Sequence, residues 1–350
     1  MFGADHFHSS LAITATTIAV AVAAPFVGRI ADLAGKRRVI VSAAFLLAVT
    51  TLMAATSRSL NAVIAWRFAQ GLVTPGVFAV AVAFIHDRWE GARAATTTAA
   101  YVTGTVVGGF LGRIVSGQAA AAWGWRASFV SIGVLSLVCA VVLAVTLPGD
   151  RGIAAGQKAP GAGHASLMSR LTSRALLGTY AAGFCVLFTQ IAMFTYVTFH
   201  LAAPPFLLST AALGWLFAVY LAGAVVTPIS GGWINVYGYR TTLAIAMALG
   251  AAGSLLTLGH SLVSVVVGLA LVCSGVFVAQ AAANGYIGVA AKSDRGLAVG
   301  MYATCYYIGG SVGGALPAVF WNSGGWTACV ALVVVVQLTT AVLGWIFWTH

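Results

Sequence analysis

The sequence predicts an all-α polytopic membrane protein made of two homologous helical bundles. Hydrophobic residues make up 61% of the 350 residues and charged residues only 7%, and the mean hydropathy is +0.99. The apolar runs are long and unbroken. They favour helices, because a helix of about 20 apolar residues crosses a bilayer with its backbone hydrogen bonds satisfied. Residues 28–37 and 231–240 share one spacing of glycine and arginine, which indicates an internal duplication.

Eleven apolar runs are candidate membrane spans, separated by polar or glycine-containing loops. They cover residues 9–28, 39–57, 60–85, 95–117, 126–147, 175–199, 209–232, 241–259, 262–290, 297–320 and 327–348. Residues 148–174 form the one long polar segment. The sequence therefore divides into an N-terminal bundle at 1–147, a linker at 148–174 and a C-terminal bundle at 175–350.

The two predicted bundles differ by one span, since five lie before the linker and six after it. Two homologous halves therefore predict 11 visible transmembrane helices of an expected 12, with the first helix missing from the sequence. Three explanations stay open: the chain begins at an internal Met, the gene is truncated, or the protein is an eleven-span relative whose N-terminus lies outside.

Positive charge is concentrated on one side of the predicted spans. If the loop at 29–38 is cytoplasmic, thirteen of the seventeen Lys and Arg residues lie on that side, and only Arg58 and Arg126 lie outside. Cytoplasmic loops of membrane proteins carry such an excess. The sequence therefore predicts a multi-pass protein of the cytoplasmic (inner) membrane with a cytoplasmic linker. The same distribution accounts for the net charge of +11 without a nucleic-acid partner.

A charged loop between the first two spans carries the most specific motif. The duplicated positions are Gly28, Asp32, Gly35 and Arg37 in the first copy, with Lys36 beside them, and Gly231, Asn235, Gly238 and Arg240 in the second. The first copy resembles the loop motif of the major facilitator superfamily, Gly-x-x-x-Asp-Arg-x-Gly-Arg/Lys-Arg/Lys, with Leu33 in place of the Arg after the Asp. The resemblance implies that Asp32 faces the N-terminus of the span near Gly296 and holds the halves together in the outward-open state. The alternative is a basic loop that only sets the topology.

Arg67 lies inside the third predicted span and is followed by Gln70 and Gly71. An arginine near the centre of a bilayer costs about 2.5–3.5 kcal/mol on insertion scales, so its side chain is expected to face the bundle interior or water. Arg-x-x-Gln-Gly resembles the fourth-span motif of the same family, in which the Arg is associated with proton coupling. An arginine that snorkels to the outer headgroups is the alternative interpretation.

The fourth predicted span carries a run of glycines that is repeated in the second half. The two sets are Gly104, Gly108, Gly109 and Gly112, and then Gly309, Gly310 and Gly313. The first set, with Arg113, resembles the fifth-span motif of the drug/proton antiporter branch, Gly-x-x-x-Gly-Pro-x-x-Gly-Gly, although Gly109 replaces the Pro and Arg113 the last Gly. Close helix packing explains these glycines equally well. Arg113 either snorkels or offers a cation to an anionic substrate.

Acidic residues are absent from the predicted spans, since all six Asp and Glu residues fall in loops or at span ends. Other polar side chains are candidates to line a transport path: Tyr101, Gln190, Tyr220, Gln280, Asn284 and Tyr306. Each is also explained by a hydrogen bond between helices. Neither a metal nor a cofactor is expected, because the five Cys residues lack metal-ligand spacing and no phosphate-binding or catalytic motif is present.

The resemblance implies a secondary transporter and not an enzyme. The expected function is the export of a small organic compound by alternating access in exchange for protons. Its expected partners are that substrate, protons and the lipid bilayer, and the protein is expected to be a monomer. One alternative is a proton symporter that imports a sugar or an organic anion, which Arg67 and Arg113 would suit. The other is a truncated, transport-incompetent membrane protein.

Overall fold

The computed structural model describes residues 6–89, 91–149, 173–291 and 295–348, and every regular element within these ranges is an α-helix. The helices are α1 (His6–Ala34), α2 (Lys36–Ala55), α3 (Leu60–Arg88), α4 (Gly91–Trp123), α5 (Trp125–Thr146), α6 (Arg174–Ala202), α7 (Thr210–Leu216), α8 (Val219–Leu256), α9 (Leu262–Ala290), α10 (Arg295–Ala315) and α11 (Pro317–Phe347). The predicted all-α class is confirmed.

Eight helical stretches of the described chain are long and apolar enough to cross a membrane. They confirm the prediction of a polytopic membrane protein, whereas the count of eleven spans of twelve stays a prediction. Helices α4 and α10 are not among the eight, and residues 210–256, which include α7 and α8, count as one stretch of 47 residues. Such a stretch is far longer than a bilayer requires, because a helix rises by about 1.5 Å per residue.

Glycines interrupt two of the long helices. In α8, Gly238 has a non-helical backbone with φ 75° and ψ 168°, and in α11 Gly325 has φ 60°. Glycine adopts positive φ readily, because it has no Cβ. Each interruption is a kink, and each coincides with a loop that the sequence analysis placed between two spans.

Serine residues define the start of three described helices. The hydroxyls of Ser59, Ser173 and Ser261 accept hydrogen bonds from backbone amides in the first turns of α3, α6 and α9, at 3.2, 3.4 and 3.1 Å. A serine at this position satisfies an amide that has no partner within the helix. These caps fix where the apolar segments of the three helices begin.

The chain divides into two compact units. The described residues of 15–161, together with 210–215, form the N-terminal unit, and those of 4–14, 162–209 and 216–350 form the C-terminal unit. In the N-terminal unit, α2 packs against α3 and α5, and α5 also packs against α4. In the C-terminal unit, α8 packs against α9, α10 against α6, and α11 against both α6 and α8. The boundaries predicted at 147 and 175 stay a prediction, and most of the linker lies outside the described residues.

Candidate functional site

The side chain of Arg67 begins a chain of hydrogen bonds within the N-terminal unit. Nη1 of Arg67 donates to Oε1 of Gln70, one turn along α3, at 2.8 Å. Nε2 of Gln70 donates to the hydroxyl of Thr51 on α2 at 2.9 Å, and that hydroxyl donates to the carbonyl of Leu47 at 2.6 Å. Arg67 is half-buried and Gln70 is only 3% exposed. The guanidinium is thus tied to a second helix through two neutral side chains.

Gly71, next to Gln70, allows α3 to lie close to α1. A Cβ at this position would stand 2.6 Å from Cβ of Ala19 and 3.0 Å from the carbonyl carbon of Thr16. Real Cβ atoms do not approach other atoms so closely, so any larger residue would move α1 or α3. The glycine of the Arg-x-x-Gln-Gly motif therefore has a packing role beside the arginine.

Arg113 occupies a different environment from Arg67. Its side chain is exposed, and Nη1 donates to the carbonyl of Gly109, one turn earlier on α4, at 2.9 Å. Further along α4, a Cβ on Gly117 would lie 3.1 Å from Cα of Gly214 on α7. Gly117 could not be predicted from the sequence, since a lone glycine in an apolar run carries no signal of its own.

The predicted packing glycines have different surroundings in the two halves. On α10, a Cβ at Gly309 or Gly313 would collide with the backbone of α6, 2.7 Å from Cα of Phe184 and 2.8 Å from Cα of Phe188. Gly310 lies against Leu187. In the first set, Gly104 and Gly108 have no described atom within 4 Å of a Cβ, Gly109 lies near its own Arg113, and Gly112 near Ile132. Close approach between helices is therefore seen at the second set.

Gly35 separates α1 from α2 in the charged loop. It has φ 93°, its amide donates to the carbonyl of Ala31 at 3.0 Å, and its carbonyl accepts from the amide of Val39 at 3.1 Å. Only glycine adopts this conformation without strain. Gly28 is exposed, with open space around it. The duplicate loop contains Gly231, which also has open space, and Gly238, the kink in α8.

The cations after Gly35 bind the carboxyl ends of neighbouring helices. Lys36 forms an ion pair with Asp87 near the end of α3. Arg37 donates from Nη2 to the carbonyl of Ala144 at 2.6 Å and from Nε to that of Leu147 at 2.8 Å, at the end of α5. The last carbonyls of a helix carry partial negative charge, so a cation stabilises them. These contacts join three helices of the N-terminal unit at one end.

Asp32 lies on the exposed surface of the last turns of α1, and Asn235 is exposed in the duplicate loop. No described residue of the N-terminal unit bonds the carboxylate of Asp32. Its predicted contact with the span near Gly296 stays a prediction. The observed contacts of the loop motif are made by its cations and its glycine.

A matching contact lies at the opposite end of the α2–α5 pair. Nη2 of Arg126, at the start of α5, donates to the carbonyl of Ser57 just after α2, at 2.9 Å. The same guanidinium lies 4.3 Å from the ring centroid of Trp125. Each of these two helices therefore has an arginine in its first turn that binds the carboxyl end of the other.

The second half repeats this arrangement with aromatic residues. The guanidinium carbon of Arg240 lies 3.6 Å from the ring centroid of Trp345, near the end of α11. At the other end, Nε1 of Trp326 donates to the carbonyl of Thr257, just after α8, at 3.2 Å. A cation over an indole face is an attractive contact. The two halves therefore join corresponding helices, but they use different contacts to do so.

The C-terminal unit gathers aromatic side chains around two of the predicted cavity-lining residues. The ring of Tyr220 lies 4.7 Å from Phe194, 5.7 Å from Phe217 and 6.0 Å from Phe277, measured between centroids. The ring of Tyr306 lies 5.9 Å from Tyr302 and 5.5 Å from Tyr307. Tyr220 and Tyr306 are both buried.

The other predicted cavity-lining residues are spread over three helices. Gln190 on α6 and Gln280 on α9 are half-buried, and Asn284 on α9 is exposed. Tyr101 on α4 donates its hydroxyl to the carbonyl of Phe78 on α3 at 3.3 Å, which is the bond between helices that the alternative interpretation expects. In the part of the chain that the structure describes, no three His, Cys, Asp or Glu residues are grouped to hold a metal ion.

Comparison with known proteins places this geometry in a family. The family model described as Major Facilitator Superfamily matches residues 1–210 and 201–350. The chain is 28% identical over 325 residues to the uncharacterised MFS-type transporter YybF of Bacillus subtilis (strain 168), which covers 93% of this chain and 80% of that protein. It is 29% identical over 340 residues to the inner membrane transport protein YnfM of Escherichia coli (strain K12), covering 96% and 82%.

The fold is also found among solved structures. The chain aligns with the crystal structure of the human organic anion transporter MFSD10 (TETRAN) at a TM-score of 0.68 and 19% identity, over 96% of this chain and 83% of that one. This likeness shows the fold. Together with the family match over both halves, it identifies a multi-span membrane transport protein that belongs to the Major Facilitator Superfamily.

Proposed function

We propose that this chain is a secondary transporter that exports a small organic compound across the cytoplasmic membrane by alternating access, in exchange for protons. The observation that carries the proposal is the hydrogen-bonded chain from Arg67 through Gln70 to Thr51. A charge within an apolar span is costly and tends to serve an ion or substrate path. A cation in such a position is able to bind an anion or lower the pKa of an approaching acid.

The test compares three variants in vesicles with an imposed pH gradient. Proton movement is followed with a pH-sensitive dye as small organic compounds are added one at a time. Arg67→Ala is expected to abolish coupled proton movement, and Arg67→Lys to keep part of it, since lysine retains the charge but loses the planar fork. Arg58→Ala is the matched control and is expected to behave like the wild type, because Arg58 lies outside the predicted spans. Full activity in Arg67→Ala would reduce this residue to an anchor.

A second candidate function is import of an organic anion or a sugar together with protons. The observation in its favour is the exposed guanidinium of Arg113, which together with Arg67 gives the N-terminal unit two cations within predicted spans. The same vesicle assay separates the candidates, because an added symport substrate drives protons in its own direction and an antiport substrate drives them the opposite way. No proton movement with any compound, at normal protein levels, would favour the transport-incompetent alternative.

The remaining features of the proposal follow from the predicted topology and motifs. The partial fifth-span motif around Gly108 supports the drug/proton antiporter branch, and the similarity to the inner membrane transport protein YnfM supports an inner membrane location. We propose that the protein works as a monomer within the bilayer and belongs to a twelve-span arrangement. Its proposed further partners are the substrate and protons.

A further inference from the structure

Two buried tyrosine hydroxyls in the C-terminal unit have no hydrogen-bond partner in the part of the chain that the structure describes. Tyr180 on α6 is 4% exposed and Tyr302 on α10 is 5% exposed, and neither hydroxyl has a hydrogen-bond partner among the described residues. Gly183 makes room for the ring of Tyr302, because a Cβ there would stand 2.9 Å from two of the ring atoms. A buried hydroxyl without a partner costs free energy, so such a group calls for an explanation.

The same pair of helices satisfies a third tyrosine. Tyr196, further along α6, is fully buried, and its hydroxyl donates to the carbonyl of Gly314 on α10 at 3.0 Å. The contact between α6 and α10 is therefore able to provide acceptors for phenols. Among the described residues, no such acceptor is used by the hydroxyls of Tyr180 and Tyr302.

These two residues begin a line of phenols that continues through the unit. Tyr306 follows Tyr302 by one turn on α10 and stacks with it at 5.9 Å, and Tyr220 on α8 lies within electrostatic range of Tyr306. Tyr220 lies beside Phe217, where the chain leaves the helical path between α7 and α8. Interruptions within membrane helices of transporters commonly accompany a binding site, because they free backbone groups.

We infer that Tyr180, Tyr220, Tyr302 and Tyr306, hereafter the tyrosine column, bind an uncharged aromatic compound that carries hydrogen-bond acceptors. The rings offer stacking surfaces, and the two unpartnered hydroxyls offer donors. The segments 175–199 and 298–315, which carry three of the four tyrosines, contain no charged residue, so nothing there would balance a charged ligand. This inference rests on the proposed transport function and names its substrate class.

The first part of the test needs no ligand and compares Tyr302→Phe with Tyr196→Phe. Removing an unpartnered hydroxyl removes its burial cost, so Tyr302→Phe is expected to keep or raise the midpoint of thermal unfolding in detergent. Tyr196→Phe removes a satisfied hydroxyl and strands the Gly314 carbonyl, so its midpoint is expected to fall. A fall of equal size in both variants would mean that Tyr302 has an internal partner, which contradicts the inference.

The second part measures binding to the purified full chain in detergent micelles. The probes are 2-naphthamide, 2-naphthoate and 2-naphthylmethylammonium, which share a ring system and differ in charge. We expect 2-naphthamide to bind the wild type best, and Tyr302→Phe to bind it about tenfold more weakly, as the loss of one buried hydrogen bond implies. Tyr180→Phe, as an independent variant, is expected to show a similar loss. Tyr196→Phe is expected to bind 2-naphthamide like the wild type.

Three results would overturn the inference. They are unchanged binding of 2-naphthamide in both Tyr302→Phe and Tyr180→Phe, absence of 2-naphthamide binding to the wild type, and preferred binding of 2-naphthoate that is lost in Arg67→Ala. The last result would assign recognition to the N-terminal unit. Because binding in micelles needs no proton gradient, a chain that binds 2-naphthamide but moves no protons would keep this inference and contradict the proposed function.

Discussion

Gln70 positions the side chain of Arg67, because the oxygen and the nitrogen of its side-chain amide each make one hydrogen bond. The oxygen accepts from the guanidinium of Arg67, and the nitrogen donates to the hydroxyl of Thr51. The amide of Gln70 is neutral, so this hydrogen bond orients the guanidinium without neutralising its charge. Since Gln70 is buried, its nitrogen has no water to replace Thr51 as the acceptor.

Thr51→Val is expected to destabilise the N-terminal unit and to disturb coupling. The change keeps the shape of the side chain but leaves the amide nitrogen of Gln70 buried without an acceptor, at a cost of about 1–3 kcal/mol. The matched control is Thr50→Val, since the hydroxyl of Thr50 bonds only to carbonyls of its own helix, those of Leu46 and Leu47. Thermal unfolding in detergent measures the difference. Equal midpoints for the two variants would show that the bond from Gln70 contributes nothing.

The roles of some of these residues could be predicted from the sequence, and the roles of others could not. Arg67 and Gln70 could be predicted, because a charge within an apolar run is costly and demands a polar neighbour. Thr51 could not, because a threonine in a helix commonly bonds to its own backbone, as Thr50 does. Tyr302 stands out in the sequence only as a polar residue, since whether its hydroxyl finds a partner depends on packing between helices.

At the scale of whole helices, α2 and α5 form a reciprocal pair. They run side by side so that the first turn of each lies at the carboxyl end of the other, where Arg37 and Arg126 bind exposed carbonyls. A bond between a cation and a carbonyl is stronger than a neutral one, and the partial charge of the helix end adds to it. The pair is therefore joined at both ends by contacts that the apolar middle cannot provide.

Arg37→Ala is expected to lower the free energy of unfolding of the chain by about 2 kcal/mol, because it removes two charge-assisted hydrogen bonds to α5. Arg38→Ala is the control, since Arg38 is the next residue, carries the same charge and is exposed. Denaturant unfolding in micelles gives the comparison. If Arg38→Ala proved as harmful as Arg37→Ala, the loop would matter only through its net charge.

The positions of the helix kinks could be predicted from the sequence, whereas the contacts between helix ends could not. The kinks at Gly238 and Gly325 fall where the sequence analysis placed loops, because glycines and polar residues interrupt the apolar runs. The partners of Arg37 were not predicted, because they are backbone carbonyls. Every residue has a backbone carbonyl, so the sequence does not distinguish the two that bind Arg37. For the same reason, the duplication predicted that Arg240 repeats the position of Arg37 but not that it stacks on Trp345.

The molecule as a whole combines a repeated framework with two different chemistries. The N-terminal unit joins its helices with cations, through Arg37, Lys36 and the chain that starts at Arg67. The C-terminal unit joins them with aromatic rings, and its tyrosine column lies on helices that are almost free of charge. Hydropathy and the internal repeat were sufficient to predict the fold class. The number of spans stays a prediction, since eight stretches of the described residues are long and apolar enough to cross a membrane and α4 and α10 are not among them.

The orientation of the whole chain is the last prediction. Thirteen of the seventeen Lys and Arg residues lie on one side of the predicted spans, and a bias of this size determines which side stays in the cytoplasm. A fluorescent protein that folds only in the cytoplasm, fused within 148–174, is therefore expected to fluoresce. A phosphatase that is active only outside is expected to be active when fused between Trp321 and Trp326. Fusion of each reporter at Ser209, on the predicted outer side, is the control and should give phosphatase activity without fluorescence. The reverse pattern would contradict the orientation and, with it, the cytoplasmic placement of the loop around Gly35.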